Sequence, residues 1–484
     1  MCWPRHADSM TVGEGSYSLL RTHHALRITF YFWYTFPMST PFNWQAITDE
    51  AVRYLRDMLR IDTTNPPGNE LAAAEYLAGV LRTEGYDPIM LEAAPQRGNL
   101  VTRLKGDGSL PPLLLYTHLD VVPAEPEHWT HPPFAGEIAD GFVWGRGALD
   151  MKNVAAMQLM IMLLLKRHNV TLHRDVIFAA TADEEIDSDV GADWLVTHHP
   201  DLVRAEYGLS EMGGHTLYLE GKKFYPVMTA EKGTCWLKIR ARGKPGHGSV
   251  PHADHAVLHL VHAIDRVMSH ALPLHLTATA STYVQRLARS VGGATGLLFS
   301  AVLNPLLHDA ALKALPDRSL ADALHAIFHN TVSPNQLRAG YKANVIPSEA
   351  EAILDGRMLP GFNVESFLAE VRPRLGEGIE ITIEHTSPPL EVSSETPLFK
   401  LIEQQIARSD PGAIAVPYMM AGATDAKLFA KLGTQCYGFA PLKLQPDTPF
   451  DGLVHGHDER VGLEAFAFGV QVLYNTVCDF CGQR

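Results

Sequence analysis

The protein has 484 residues, of which 46% are hydrophobic and 19% are charged. This composition is ordinary for globular proteins, and the length allows about two to four domains of ~100–200 residues each. The net charge of −14 argues against nucleic acid and against an anionic membrane as partners, because the long-range field of the protein repels both.

The first 37 residues differ from the rest. They begin with a basic stretch and continue with a largely apolar stretch of nine residues, Ile28 to Phe36, with no small-x-small cleavage site after it. We predict a non-structural extension ahead of Met38, with an atypical export signal as the alternative. The five cysteines are too few and too scattered for a disulfide framework, which favours a cytoplasmic location. No apolar stretch reaches the ~18 residues of a membrane helix.

Helical and strand-like patterns alternate from Asn43 onward. Apolar residues at helical spacing predict helices at Trp44–Leu59, Leu71–Thr83 and Asn153–Arg167. Short apolar runs predict strands at Leu100–Leu104, Leu113–Tyr116 and Val176–Ala180. This alternation is typical of an α/β sheet with helical crossovers, and we assign residues 38–230 to the first part of a catalytic domain.

A different pattern begins near Glu231, where Cys235, Leu237, Ile239 and Ala241 alternate with polar residues in a predicted half-buried strand. Further predicted elements follow: a helix at His255–Met268, strands near Gln336–Tyr341 and Ala350–Met358, a helix around Val364–Val371 and a strand with Ile379, Ile381 and Ile383 inward. This order is ferredoxin-like. We therefore predict an inserted α+β domain at 231–390, with a helical insertion at about 272–330, and a second part of the catalytic domain at 391–484.

Histidines and carboxylates follow several of the predicted strands. Each cluster alone has a simpler explanation, such as a helix cap at Asp150 or an exposed acidic turn at Glu184–Glu185. Together, so many acids in one cleft need compensating positive charge, and two histidines with three carboxylates match a pair of zinc-like ions. The clusters contain His118 and Asp120, Asp150, Glu184 and Glu185, Glu211, and His455 with His457.

With these motifs in order, the chain resembles the family of zinc-dependent aminoacylases, acetylornithine deacetylases, succinyl-diaminopimelate desuccinylases and carboxypeptidase S. The resemblance covers about residues 43–473 and implies a mixed-sheet, zinc-exopeptidase-like catalytic domain with helices on both faces. It makes Asp150 the ligand shared by two divalent ions, with His118 and Glu211 on one ion and Glu185 on the other. Zinc is the first choice for both ions, and cobalt and manganese are the alternatives.

The resemblance also assigns roles around the metals. Asp120 orients the His118 ring, Glu184 is the general base, and the His-Gly-x-Asp-Glu-Arg motif makes His455 the last ligand, although His457 is only two residues away. In the inserted lid or dimerisation domain, His247 corresponds to the residue that stabilises the oxyanion, typically across a homodimer. The residues that correspond to substrate-binding positions are Asn344, Arg357, Gly422 and Thr424.

The long insertion, with Trp129 and the segment Pro132–Phe134, points to the carboxypeptidase S-like branch. The implied function is metal-dependent hydrolysis of the amide bond in N-acyl amino acids or small peptides with a free carboxylate. Two alternatives stay open: a dipeptidase or carboxypeptidase proper, and a non-catalytic protein that binds metal or an amino acid. A dinuclear phosphoesterase is disfavoured because no glycine loop suited to phosphate accompanies the motifs.

Overall fold

The computed structural model describes residues 42–482, so the predicted extension at 1–37 lies outside the described residues. Residues from Trp44 onward form one compact unit, and the division into a catalytic and an inserted domain stays a prediction. In the part of the chain that is described, no helix combines the length and apolar composition of a membrane span.

The elements are named here in chain order. The first part of the chain contains α1 (Trp44–Leu59), α2 (Glu70–Thr83), β1 (Ile89–Ala94), β2 (Arg97–Leu104), β3 (Leu110–His118), β4 (Glu137–Ala139), β5 (Phe142–Trp144), α3 (Lys152–Arg167), β6 (Arg174–Thr181), α4 (Ala192–His198), α5 (Pro200–Val203), β7 (Tyr207–Ser210), β8 (Leu217–Leu219) and β9 (Lys222–Glu231).

The middle part contains β10 (Gly233–Arg242), β11 (Gly246–His247), α6 (Ala256–Met268), α7 (Ala278–Val291), α8 (Gly293–Val302), α9 (His308–Ala314), α10 (Arg318–Phe328), β12 (Thr331–Ala339), β13 (Val345–Ile346), β14 (Glu349–Met358), α11 (Val364–Leu375) and β15 (Ile379–Ser387). The last part contains β16 (Leu390–Glu391), α12 (Pro397–Ser409), β17 (Ile414–Met420), α13 (Ala426–Ala430), β18 (Gln435–Gly438), α14 (Phe450–Leu453), β19 (Arg460–Gly462) and α15 (Leu463–Cys481).

The larger sheet runs in the order β1-β2-β6-β3-β7-β18-β9-β16, with β17 and β8 also paired to β9. Strands β6, β3, β7 and β18 pair with one another in parallel. The pairs β1–β2, β2–β6, β18–β9 and β16–β9 are antiparallel. Buried runs such as Leu113–Leu115 place apolar side chains on both faces of the sheet, and helices on both faces bury these side chains. Helix α3 packs against β3 and β6 beneath α1 and α15. Residues of α4 and α13 share a core with Leu114 and Tyr116. The mixed α/β architecture confirms the predicted fold class.

A second, antiparallel sheet has the strand order β12-β14-β10-β15. Its buried face, with Leu237, Ile239 and Leu354, packs against Phe367 of α11 and Leu260 of α6. The order strand–helix–strand–strand–helix–strand is the ferredoxin-like order that the hydrophobic pattern predicts.

Helices α7 to α10 occupy the predicted helical insertion. Their apolar side chains, including Phe299 and Phe328, form a core with Phe224 of β9 and Met419 of β17. The insertion therefore covers strands of the larger sheet, and its Ala- and Leu-rich composition is the composition of a buried helical layer.

Two local predictions are wrong. The strand predicted to reach Tyr341 ends at Ala339, because Gly340 has a φ of +66° that an extended strand does not adopt. Ile383, predicted to point inward, is 42% exposed. Ile383 pairs with the buried Leu237 and so lies on the predicted face, but β15 is the outermost strand of this sheet and leaves the Ile383 side chain uncovered.

Candidate active site

Three neighbouring parallel strands supply most of the predicted ligands. Strand β3 ends at His118, β6 leads into the Glu184–Glu185 segment, and β7 leads into Glu211. Because β3 pairs in parallel with both β6 and β7, their carboxyl ends lie at one edge of the sheet. Open α/β sheets bind ligands at this edge.

His118 lies at the centre of this group and is buried. Its Nε2 atom is 3.1 Å from Asp150 Oδ1 and 3.7 Å from Glu211 Oε2. Its Nδ1 atom is 3.0 Å from the main-chain carbonyl oxygen of Asp120 and 3.5 Å from the Asp120 carboxylate. The ring is therefore held from the Nδ1 side, and Nε2 points toward the carboxylates.

Asp150 lies between His118 and His455, the two histidines that the sequence analysis predicts as metal ligands. Its second oxygen, Oδ2, is 3.1 Å from His455 Nε2, and that nitrogen is also 3.1 Å from Glu185 Oε2. His457 turns away, and its Nε2 atom is 2.8 Å from Glu125. The geometry brings Asp150, Glu185, His455 and His118 together, with the Asp150 carboxylate in the shared position.

The charges of these groups strongly perturb one another. Burial opposes protonation of His118, but nearby carboxylates outweigh it and hold its pKa well above the usual value. Hydrogen bonds to Asp150 and Glu185 raise the pKa of His455 to about 10. Burial, together with the charge of Asp150, raises the pKa of Glu211 to about 8. Burial also raises the pKa of Glu184 well above normal. The site therefore holds more buried negative charge than its own side chains compensate.

The donor atoms fit divalent cations. Two groups of side chains each bring their ligand atoms within 4.8 Å of one another. One group is His118, Glu184 and Glu211, and the other is His118, Asp150 and Glu185. In the described part of the chain, Glu185 Oε1 and Glu211 Oε2 are buried without a hydrogen-bond donor. Buried carboxylate oxygens are normally paired or bound to a cation, so these two atoms mark where an ion fits.

Asp120 supports the site through more contacts than the sequence predicts. Its carboxylate accepts the main-chain N–H groups of Glu184 and Glu185, both at 3.1 Å, and the side-chain amide of Asn65 at 2.9 Å. Asn65 also donates to Asp183 at 3.0 Å. This network fixes the turn that presents the two glutamates, and the sequence analysis missed Asn65 because it lies 55 residues away from Asp120 along the chain.

A second supporting pair holds the Asp150 loop. The buried carboxylate of Glu459 accepts hydrogen bonds from the Arg146 guanidinium at 2.7 Å and from the main-chain N–H groups of Leu149 and Asp150 at 2.6 and 3.1 Å. Glu459 lies inside the His-Gly-x-Asp-Glu-Arg motif, and Arg146 lies four residues before Asp150. Their pairing across 313 positions is a tertiary contact that no spacing rule indicates.

A cavity of about 480 Å³ opens beside the carboxylates. Its wall includes Glu184, His455, Arg357 and Gly422, together with Lys427, which the sequence analysis did not select. Arg357 donates from Nε and Nη2 to Asp355 at 2.8 and 3.1 Å, which fixes the plane of the guanidinium. The cavity thus joins the acidic cluster to cationic groups, a combination suited to a substrate with a free carboxylate.

Three residues predicted to contact the substrate or the oxyanion do not line this cavity. Thr424 is buried, and its N–H and hydroxyl groups both donate to Glu231, at 2.9 and 2.8 Å, so it holds the loop from behind. His247 and Asn344 are exposed residues of the inserted region, joined through the main-chain hydrogen bond from Gly248 to Asn344 at 2.9 Å. The substrate and oxyanion roles assigned to these three residues stay predictions.

Comparisons with known proteins agree with this fold and site. The chain aligns over 89% of its length with a metallo-carboxypeptidase of Sulfolobus solfataricus, with a TM-score of 0.68, 18% identity and 99% coverage of that structure. It is 27% identical over 401 residues to the human N-fatty-acyl-amino acid synthase/hydrolase PM20D1, covering 80% of this chain and 78% of the relative. It is 26% identical over 433 residues to human aminoacylase-1, covering 87% of this chain and 93% of the relative.

Residues 114–479 match the model of peptidase family M20/M25/M40. The chain belongs to this family and is a hydrolase. The resemblance inferred from the motifs is thereby confirmed, and the solved structure shows the same mixed α/β fold.

Proposed function

We propose that the protein hydrolyses the amide bond of N-acyl amino acids, or of small peptides that carry a free carboxylate. The observation that carries this proposal is the meeting of His118 and Asp150 with Glu185 and His455, the last two of which line the same cavity as Arg357. The acids bind cations, and the arginine binds an anion. Hydrolysis of such a substrate requires activation of its carbonyl group and recognition of its carboxylate. Residues suited to each task line the same cavity.

Two divalent ions would occupy the acidic cluster, zinc first, with cobalt or manganese as alternatives. His118 and Glu211 would hold one ion, Glu185 and His455 would hold the other, and Asp150 would be shared. When bound, the ions supply a Lewis acid for the carbonyl and lower the pKa of a water toward ~7. The unpaired oxygens of Glu185 and Glu211 support this assignment.

Glu184 moves the proton in the proposed reaction. Its carboxylate lies in the cavity wall, and its main-chain N–H is fixed by Asp120. Glu184 accepts a proton from the attacking water while the oxygen of that water forms a bond to the amide carbon. The carbon–nitrogen bond then breaks, and Glu184 returns the proton to the leaving amine, so the products are a carboxylic acid and an amine.

Arg357 binds the substrate carboxylate. Asp355 occupies the Nε–Nη2 edge of the guanidinium and leaves the Nη1–Nη2 edge for a second carboxylate. The Gly422 loop forms the facing wall, and Thr424 keeps that loop in place through Glu231. Asn344 and His247 complete the site from the inserted region, with His247 stabilising the oxyanion across a homodimer.

A substrate panel tests the proposal. The enzyme loaded with zinc, cobalt or manganese would be assayed with N-acyl amino acids, with the same compounds carrying an amidated carboxylate, and with dipeptides. We expect hydrolysis of the free-carboxylate compounds and a large loss of kcat/KM on amidation. Equal rates for free and amidated substrates would remove the proposed role of Arg357, and an inert enzyme with every metal would favour a non-catalytic binding protein.

Dipeptides separate the acylase from the peptidase alternative. A dipeptidase or carboxypeptidase turns over dipeptides with a kcat/KM at least equal to that for acyl amino acids, because a free amino group is then part of the recognised substrate.

The proposed cytoplasmic location rests on the cysteines. Among the described residues, none of Cys235, Cys436, Cys478 and Cys481 forms a disulfide.

A further inference from the structure

A buried ion pair lies behind the turn that presents Glu184. Arg97, the first residue of β2, donates from Nε and Nη2 to the two carboxylate oxygens of Glu70, both at 2.7 Å. The same Nη2 atom donates to Asp183 Oδ1 at 2.8 Å. The side chains of Arg97, Glu70 and Asp183 are 14%, 0% and 9% exposed, and none of them lines the cavity beside the acidic cluster. Arg97 is thus a cation held by two buried acids, outside the wall that a substrate would contact.

Asp183 connects this ion pair to the turn. It directly precedes Glu184, and its φ of +70° lies in the left-handed region, which residues other than glycine rarely adopt. Its main-chain N–H donates to Glu70 at 3.3 Å, and its Oδ1 atom accepts from both Arg97 and Asn65, at 2.8 and 3.0 Å. A backbone conformation of this kind persists only where the surroundings hold it. The partners of Asp183 therefore fix the main chain from which the Glu184 side chain projects.

The remainder of the turn is held from the other side. Asp120 accepts the main-chain N–H groups of Glu184 and Glu185, both at 3.1 Å. Asn65 joins the two sides, because its side-chain amide donates to Asp120 at 2.9 Å and to Asp183 at 3.0 Å. Three consecutive residues of the turn are therefore fixed by two separate groups of contacts.

We infer that Arg97 is a positioning residue for the proposed general base. By binding Asp183 and Glu70 together, it fixes the residue before Glu184 and so the direction in which the Glu184 carboxylate enters the cavity. Arginine is suited to this task because its planar guanidinium binds one carboxylate through two nitrogens and still donates to a second one. The inference rests on the proposed function, since that function assigns Glu184 the role of the base.

Arg103 provides a matched control for the test. It lies on the same strand as Arg97, and its Nη1 atom donates to Asp175 of β6 at 3.0 Å. Arg97→Lys and Arg103→Lys both keep the positive charge and both lose the planar fork. We expect Arg97→Lys to lower kcat about 10–100-fold at nearly unchanged KM, the loss typical of a displaced catalytic group, while Arg103→Lys keeps the wild-type kcat. Equal kcat values for the two variants would overturn the inference, and so would a loss confined to KM.

A double-mutant cycle tests whether Arg97 acts through Asp183. Asp183→Asn keeps the size of the side chain but removes the charge that Arg97 binds, and alone it should also lower kcat. If one contact carries both effects, the double variant has nearly the same kcat as the more impaired single variant. Losses that multiply would contradict the inference. Where Arg97→Lys does not fold, a near-normal kcat for Asp183→Asn would contradict it as well.

Crystal structures separate this inference from the proposed function. We expect the Glu184 carboxylate of Arg97→Lys to be displaced by ~1 Å from its wild-type position, and that of Arg103→Lys to stay in place. An inactive wild-type enzyme, together with this displacement in Arg97→Lys, would contradict the proposed function and support the positioning role. An unmoved Glu184 in Arg97→Lys would overturn the positioning role, whatever the activity.

Discussion

His455 at the edge of the large sheet and His329 beside the helical insertion are the same residue type in opposite electrostatic surroundings. Two carboxylates at 3.1 Å raise the pKa of His455 to about 10. Burial, with main-chain carbonyl oxygens and His308 as hydrogen-bond partners in place of carboxylates, lowers the pKa of His329 to about 4. The difference shows that neighbouring charge, and not the imidazole itself, decides what each cluster can bind.

At the large sheet the carboxylates outnumber the histidines, so more than one added positive charge is needed to compensate their negative charge. In the insertion the partners of His329 are main-chain carbonyl oxygens and another imidazole, so no carboxylate there compensates added positive charge. We therefore expect the acidic cluster to be catalytic and strongly dependent on metal, and the buried histidines of the insertion to be neutral members of its core. The predictions below either break or sharpen this contrast.

The largest effect is expected for Glu184→Gln. The amide cannot accept the proton of water, so kcat should fall about 10²–10⁴-fold, the range that general acid–base catalysis contributes. Metal content should not change, because Glu184 is assigned as a base and not as a ligand. Steady-state kinetics and metal analysis on the same preparation check both points. A variant with near-normal kcat would exclude Glu184 as the base.

Arg146→Ala should cause the next largest effect, on stability. Removing this guanidinium leaves the buried Glu459 carboxylate without its ion-pair partner, which costs about 3–5 kcal/mol in the free energy of unfolding. The exposed pair of Arg318 and Asp322 gives the control, because Arg318→Ala should cost less than about 1 kcal/mol. Urea denaturation of both variants measures the difference. Equal costs would show that the Arg146–Glu459 pair does not hold the Asp150 loop.

Glu231 tests what a buried acid does away from the proposed ions. Burial raises its pKa to about 7 from an unfolded value of 4.5. The folded state therefore binds the proton more tightly, and stability from this group is present below pH 4.5 and lost as the pH rises through 7. Glu231→Gln, which can still accept from Thr424, should gain about 1–3 kcal/mol over the wild type between pH 5 and pH 8.

Denaturation curves at both pH values check the Glu231 prediction. The exposed Glu377 supplies the matched variant Glu377→Gln, which should not alter the pH dependence. A Glu231→Gln variant whose stability difference from the wild type is constant with pH would show that Glu231 is ionised in the folded protein.

The smallest effect is expected for Arg357→Ala on substrate binding. Loss of the guanidinium should raise KM about tenfold for a free-carboxylate substrate, roughly 1.4 kcal/mol, with little change in kcat. Arg338, exposed on β12, provides the control variant Arg338→Ala. The amidated substrate should show no such increase in KM. An increase of the same size for both substrates would mean that Arg357 does not contact the carboxylate.

Much of the fold and of the metal site is predictable because the signals are local. Helix α1 has the predicted bounds, Trp44–Leu59, since its apolar spacing is regular along the whole segment. His118, Glu185 and Glu211 each follow a short apolar strand, so the rule that parallel strands end at one edge brings them together. Strand β9 was missed because Pro226 interrupts its apolar run, and a proline inside such a run argues against a strand.

The supporting contacts are not predictable from local patterns. Asn65, Arg146 and Lys427 act through partners or a cavity formed only in the folded chain. Thr424 lies in the expected loop, yet its hydroxyl points to Glu231 and not to the cavity. Ile383 lies on the predicted face, opposite Leu237, but it is exposed because β15 is at the edge of its sheet, a position that the local pattern does not reveal.

The central claim is that Asp150 lies between two ions. Crystals of the zinc-loaded enzyme, measured with anomalous scattering at the zinc edge, test this most directly. The account predicts two anomalous peaks ~3.5–4 Å apart, both bonded to Asp150, with His118 and Glu211 on one ion and Glu185 and His455 on the other. A single peak, or two peaks of which neither contacts Asp150, would contradict it.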